Sequence, residues 1–423
     1  MKRQSDDAVS QDKGFIEEEA AAPEIDEAEN APEEAADENT ENKTIYDDAS
    51  DYKFLKSRAS ISHHSSGTHH HSSSGHHHHH HHRRRRKKMK KWKKVLIIVV
   101  SVILVIALSI CVTLQILYLN GRSDFFDVNL NMVVPETVQA EVQDNGDYIM
   151  YKGVTYKYNH DVTNILFMGV DKRSIDDETA QGTGGQADAI VMIAMNVKDH
   201  KMTLLAVPRD TITDVALYSP SGHYSGMKEM QVCMAYAYGD GKEISCENTV
   251  SSVRRIFYNV PVNTYYALDL DGIAAVNDSV GGVDVASPET IGPFTEGESY
   301  HLEGKLSENF VRLRDKSGVD SSMKRLERQK IYAKGFLSTM TKKLKGDITS
   351  AITVYNESSP YSCTNLNAAK VTYLAAEFMF GGGMDTELLT MPGELSYDNQ
   401  YARFNIDEEK FFEQFLSVYY ERM

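Results

Sequence analysis

Asn164-Ile-Leu-Phe-Met-Gly169, Ala189-Ile-Val-Met-Ile-Ala-Met-Asn196 and Thr203-Leu-Leu-Ala-Val-Pro208 are short apolar runs in one stretch of chain. They are too short for ordinary helices, and Gly, Asn or Pro ends each one. That combination reads as buried strands. Lys198-Asp-His-Lys201 is a polar turn between the last two, so those two form an antiparallel pair. Downstream the apolar spacing lengthens, with helical patterns at 228–238, 247–258, 305–310, 323–345, 366–380 and 408–420. Residues 264–270 are strand-like, and Asp271 is placed to cap a helix through Val280 that Gly281-Gly282 ends. Strands and helices mix without strict alternation. The fold class is therefore α/β, with a mixed central β-sheet covered by helices on both faces.

Upstream, residues 120–160 read as a stalk that leads into short strands, for example at 147–157. Before them, 95–119 is an uncharged apolar run. As a helix it would reach about 37 Å, enough to cross a ~30 Å hydrocarbon core with some tilt. The block Arg83-Arg-Arg-Arg-Lys-Lys-Met-Lys-Lys-Trp92-Lys-Lys94 precedes it, whereas Asn120-Gly-Arg122-Ser-Asp124 follows with one base. The positive-inside rule then places residues 1–94 in the cytoplasm and 161–423 outside, on a single-pass cell-membrane anchor. A signal peptide would have a shorter apolar core behind a short charged start.

Residues 1–62 form an acidic tail with 18 Asp/Glu against 7 Lys/Arg. Such a segment buries too little apolar surface to offset chain entropy, so disorder is expected. Residues 63–94 are His-rich and basic, and include seven consecutive His. The tract can bind Zn²⁺ or Ni²⁺, but it has no defined four-ligand spacing and reads first as a low-complexity solvated linker. Residues 95–423 carry a net charge of −15. That excludes general nucleic-acid binding, which needs a basic footprint. Four cysteines are too few for a disulfide framework. A Cys233–Cys246 bridge and buried thiols both remain open.

Four charged segments flank the apolar strands: Gly169-Val-Asp171-Lys-Arg173, Gly182-Thr-Gly-Gly-Gln186-Ala-Asp188, Pro208-Arg209-Asp210-Thr211, and Val311-Arg312-Leu-Arg314 with Arg325-Leu-Glu-Arg328-Gln329. Strand ends line ligand crevices, so Asp171, Asp188, Arg209 and Asp210 can converge. On a helix Arg325, Arg328 and Gln329 share one face, and Ser321 or Ser322 could cap its N-terminus as a further anion site. Residues 312–330 hold seven Lys/Arg against three acids, a basic cluster in an acidic domain. Arginine's planar fork grips phosphate oxygens in two places, and aspartates hold Mg²⁺, which bridges to phosphate. Phosphoryl transfer needs mainly positioning and charge neutralisation. No Gly-x-Ser-x-Gly elbow, zinc site or P-loop stands in the chain. Structural ion pairs are the competing reading.

These segments resemble the LytR–CpsA–Psr family of cell-envelope proteins over roughly residues 160–423. Gly281-Gly282-Val283-Asp284-Val285 and Met391-Pro392-Gly393 add to the likeness. The resemblance implies a Mg²⁺-assisted phosphotransferase that moves an anionic glycopolymer, of teichoic acid or capsule type, from a polyprenyl-pyrophosphate carrier onto peptidoglycan. It implies that Asp171 and Asp188 hold the metal and that Arg209, Arg312, Arg325 and Arg328 bind pyrophosphate. Asp210, Arg314 and Gln329 then orient them, and transfer is carried by Arg209, Asp210, Arg312, Arg314 and Arg325. An apolar cleft takes the lipid tail. Two positions depart from the family pattern. Gln186 stands where an arginine is usual, so Arg173 or Lys172 would have to supply the charge. Ser322 stands where an aspartate is usual. The alternative these departures imply is a weakened family member that binds lipid pyrophosphate and regulates envelope assembly.

Overall fold

The computed structural model describes residues 89–423 apart from 178–181, 183–184, 220, 316–320, 348, 381–383 and 399–400. The acidic tail and the His tract lie outside the described residues.

The three apolar runs form the centre of a six-stranded sheet. Its strands are β1 (Val162–Val170), β2 (Ala187–Asn196), β3 (Lys201–Val207), β4 (Thr264–Leu268), β5 (Ser362–Thr364) and β6 (Asp385–Thr390). They lie in the order β5-β4-β1-β2-β3-β6. The β1–β2, β2–β3 and β4–β5 pairs are antiparallel, whereas β1–β4 and β3–β6 are parallel. The sheet is mixed, as the unalternating element order implies.

The helices are α1 (Lys91–Phe126), α2 (Glu243–Ile256), α3 (Leu270–Ser279), α4 (Lys305–Arg312), α5 (Ser321–Gly346), α6 (Ser350–Ser358), α7 (Ala368–Phe380) and α8 (Glu408–Tyr419). A four-residue turn of helix, Met234–Ala237, precedes α2. Successive strand side chains point to opposite faces, so each face has its own core. Leu166, Met168, Ile190 and Met192 pack with Val253 of α2 and Phe411, Phe412 and Phe415 of α8. Ile165, Val191, Ile193 and Leu204 pack with Ala333 and Leu337 of α5 and Tyr373 of α7. Helices therefore cover both faces, and the second face carries the site.

Three local expectations change. The helix expected at 228–238 shrinks to the single turn Met234–Ala237, because Tyr224–Gln231 pairs with Ile212–Tyr218 in a hairpin. The side chains of Tyr224–Gln231 are largely exposed, so no buried stripe arbitrates between the two periods and cross-strand pairing decides. The α3 cap is Asp269, whose Oδ1 accepts from Gly272 N at 2.8 Å. Asp271 sits in the first turn of α3 instead. The expected stalk is in part helix, while the short strands expected near 147–157 are present as Tyr148–Tyr151 and Val154–Tyr158. The apolar helix continues past Leu119 to Phe126, and 141–158 forms three strands of a small sheet with Tyr420–Arg422. Glycine decides how α1 docks: a Cβ at Gly121 would collide with the Ala369 carbonyl. Replacing Gly121 with valine is expected to cost about 1–3 kcal/mol through overpacking, read as a lower denaturation midpoint of the full chain in detergent.

The cysteines of the folded region are free thiols, so the Cys233–Cys246 bridge is not formed. Cys233 and Cys246 are instead buried, and burial pushes the Cys233 thiol up to about 11.

Candidate active site

Between the second sheet face and helices α3, α4 and α5 lies a cavity of about 550 Å³. Its floor is Phe167, Val191, Ile193 and Leu204, and its roof is Ile273, Tyr332, Phe336 and Leu337. The floor follows from strand alternation, because every second residue of β1 and β2 faces this way. Small residues there, Gly169 and Ala189, leave the space open.

One end of this apolar cavity is charged. Asp171, Asp188, Arg209, Arg312, Arg314, Arg325 and Gln329 all line it, so residues up to 158 positions apart meet. Asp171 follows the last residue of β1, and Asp188 is the second residue of β2, beside a register shift at Gly169/Val170. Pro208 ends β3 and cannot donate to the sheet, which turns Arg209 towards the cavity. Arg325 and Gln329 stand one turn apart on α5.

Asp188 bridges two guanidiniums. Its Oδ1 accepts from Arg209 Nη1, and its Oδ2 accepts from Arg325 Nη1 at 3.0 Å. Arg209 Nη2 donates to Gln186 Oε1 at 2.6 Å. Arg312 donates to Glu308 Oε1 at 2.8 Å and reaches Asp171 Oδ1 at 3.4 Å. Arg314 Nε donates to Ser321 Oγ at 2.8 Å, so Ser321 holds an arginine while Ser322 faces Arg209 and Asp210 across a small adjoining crevice. Asp210 lies behind Arg209 and accepts from Gln231 Nε2 at 3.0 Å.

Positive charge exceeds negative at this end. Burial, then repulsion from Arg209 and Arg314, pushes the Arg325 guanidinium down to about 10, which leaves it charged at pH 7. Burial raises the Asp210 carboxyl above its ordinary range even though Arg209, Arg314 and Arg325 pull it down. An anion placed among the arginines would relieve their mutual repulsion, and in a partly buried site that relief is large.

Two expected ligands do not reach the cavity. Arg328 is 1 % exposed and points away from it. It donates to the carbonyls of Phe310 and Leu313 and pairs with Glu289. This is a correction to the shared-face reading: i and i+3 side chains are neighbours, but α4 covers one of them. Arg173 also turns aside, bridging Asp271 at 2.9 Å and Glu308 at 2.8 Å. Lys172 is buried and donates to the carbonyls of Ile175 and Asp177. Neither residue supplies the charge missing at Gln186.

Two positioning residues, Glu308 and Gln231, escaped the sequence reading. Glu308 is buried and binds Arg173, Lys305 and Arg312 together. Burial alone would raise its carboxyl, but those three cations outweigh it and the net shift is downward. Its i,i+4 spacing to Arg312 was a usable local signal. Gln231 gave none, since its partner Asp210 arrives through tertiary contact, and Ser321, expected as a possible helix cap, accepts from Arg314.

Asp171 and Asp188 fit a Mg²⁺ site in kind, because Mg²⁺ is commonly held by one or two carboxylates with phosphate and water oxygens completing its shell. Among the described residues no cluster of three or more His, Cys, Asp or Glu could hold a metal by itself. Any such ion would therefore depend on the bound phosphate.

Comparison with known proteins agrees with the fold. The chain is 31% identical over 155 residues to a polyisoprenyl-teichoic acid–peptidoglycan teichoic acid transferase TagU of Bacillus cereus, covering 36% of this chain. It is 30% identical over 191 residues to the corresponding transferase TagV of Bacillus subtilis, covering 42% of this chain. The matched stretch spans 44% of each relative's length. A crystal structure of a Streptococcus agalactiae protein superposes with a TM-score of 0.50 at 17% identity, over 61% of this chain and 86% of that one, which establishes the shared fold. The LytR_cpsA_psr family model matches residues 130–416. With more than half its length matched, the chain belongs to the LytR–CpsA–Psr family.

Proposed function

We propose that the chain is a membrane-anchored phosphotransferase that moves an anionic glycopolymer of teichoic acid or capsule type from a polyprenyl pyrophosphate to peptidoglycan. One observation carries this reading: Arg209 and Arg325 share Asp188 at the charged end of an otherwise apolar 550 Å³ cavity. A lipid pyrophosphate has that polarity, with a greasy chain beside a compact, highly charged head. The relatives' names, which specify teichoic acid transfer to peptidoglycan, support the substrate class. The one described helix long and apolar enough to cross a membrane, α1, supports anchoring, and the basic block before it supports a cytoplasmic N-terminus.

In this reading the cavity takes the first isoprenoid units, and Arg209, Arg312, Arg314 and Arg325 bind the pyrophosphate oxygens. Asp188 and Gln186 hold Arg209 in place, and Glu308 holds Arg312. An acceptor hydroxyl of peptidoglycan attacks the phosphorus that carries the sugar. The new P–O bond forms a phosphodiester as the bridging P–O bond of the anhydride breaks. Polyprenyl monophosphate leaves and takes the hydroxyl proton. Asp171 and Asp188 would hold Mg²⁺, which neutralises charge on the phosphate oxygens. The arginines do the same work from the protein side, most strongly as charge develops on the leaving phosphate.

The test is the full chain in lipid with polyprenyl-pyrophosphate-linked polymer, peptidoglycan and Mg²⁺. Release of polyprenyl phosphate with polymer becoming attached to the wall is expected; absence of both turnover and lipid binding overturns the reading. A second reading, binding without transfer, rests on Gln186, which accepts from Arg209 where a further cation would otherwise stand. The double variant Gln186→Arg, Ser322→Asp discriminates. The transferase reading expects its turnover to stay within about tenfold of the parent, whereas a binding-only protein would acquire turnover from near zero.

A further inference from the structure

The apolar helix does not end at the membrane. It docks on the folded domain, and the contacts give its depth. Asn367 Nδ2 donates to Asp124 Oδ2 at 3.1 Å. Next along α1, Gly121 sits against the Ala369 backbone. The Tyr118 and Tyr373 ring centroids are 5.3 Å apart, and Tyr118 Oη donates to Glu377 Oε1 at 2.9 Å. Numbers fall on α1 as they rise on α7, so the two helices are antiparallel. Going from Glu377 to Phe380 therefore moves about 4.5 Å further towards the apolar run. Phe380 comes level with about Gln115, inside the uncharged stretch 95–119.

Phe380 is 79 % exposed, an unusual position for a phenylalanine that closes a helix. It is not isolated. Leu344 of α5 and Ala351 of α6 pack on Ala375 with Phe378, so these helix ends lie within about one and a half turns of it along α7. Ile352, next to Ala351, is 58 % exposed, and Lys342 and Lys345 near the end of α5 are exposed as well. Apolar side chains with lysines around them fit a surface lying in anionic lipid headgroups.

We infer that the C-terminal end of α7, with the adjoining ends of α5 and α6, is a second membrane contact that inserts Phe380 and Ile352 into the outer leaflet beside α1. The inference rests on α1 spanning the bilayer. Two points of attachment hold the domain in one orientation. The cavity shares its sheet face with α1 and α7, so a lipid carrier can enter it without its tail crossing bulk water.

The test uses the full chain in vesicles of phosphatidylcholine and phosphatidylglycerol brominated at shallow or deep acyl positions. Trp92→Phe removes the one native indole, and Phe380→Trp then reports on the contact. Expected is a blue-shifted emission that shallow bromines reduce roughly twofold, and more than deep bromines do. A Leu108→Trp chain in the same background checks the anchor separately, and deep bromines should quench it most. Quenching of Leu108→Trp with none of Phe380→Trp overturns the second contact and leaves the anchor standing. Quenching of neither overturns both.

Discussion

Replacing Arg209 with alanine is expected to lower transfer by about 10²–10³-fold, the largest single loss of activity among the site residues. Preorganised donors aimed at developing charge are typically worth that much. Arg209 also joins more of the site than its neighbours do, since it binds Asp188 and Gln186 and lies 3.5 Å from Asp210. Its removal leaves the half-buried Asp188 with one cation where it had two, which adds repulsion towards an incoming phosphate. Arg209→Lys should recover part of the loss, because charge returns but the two-pronged geometry does not. Single-turnover release of polyprenyl phosphate measures the effect, with binding of the lipid followed in parallel. A change smaller than about threefold in both would remove Arg209 from the machinery.

Arg328→Met is expected to act on stability, by about 3–5 kcal/mol, the cost of breaking a buried ion pair from one side. The variant strands Glu289 and two carbonyls, those of Phe310 and Leu313, without their donor. Methionine fills much of the volume, so the loss reports on polar pairing more than on a cavity. Denaturant unfolding of the full chain in detergent gives the number. Lipid pyrophosphate binding, measured below the unfolding transition, should stay near the parent value because Arg328 does not line the cavity. Intact stability with lost binding would put Arg328 back among the phosphate ligands. The Arg209 and Arg328 variants thus separate two arginines that a sequence motif presents as equals.

The sequence alone determined the elements whose signal is local. Three apolar runs were strands because the lengths, end residues and intervening turn all agreed. The helices read at 305–310 and 323–345 were legible from their spacing, as was the apolar helix at 95–119, and each runs a few residues longer in the fold. Charge types at strand ends also pointed to convergence at one end of the sheet, and Asp171, Asp188, Arg209, Arg312, Arg314, Arg325 and Gln329 do line one cavity.

Tertiary structure decided which charges are available there. Arg325 and Arg328 carry the same side chain on the same helix, yet one faces the cavity and the other is closed off by Phe310, Leu313 and Glu289. Periodicity places a side chain on a helix face, but what covers that face comes from elements distant in the chain. The same holds for Arg173, drawn to Glu308 and Asp271, and for the 224–231 strand, chosen by its partner because its own exposed residues favour neither period. It holds as well for the docking of α1 through Gly121, since nothing near a glycine in the chain reveals which backbone will press against it. Local interactions are written in short windows of sequence; pairing, covering and close approach belong to contacts between windows, and those exist only once the chain has folded.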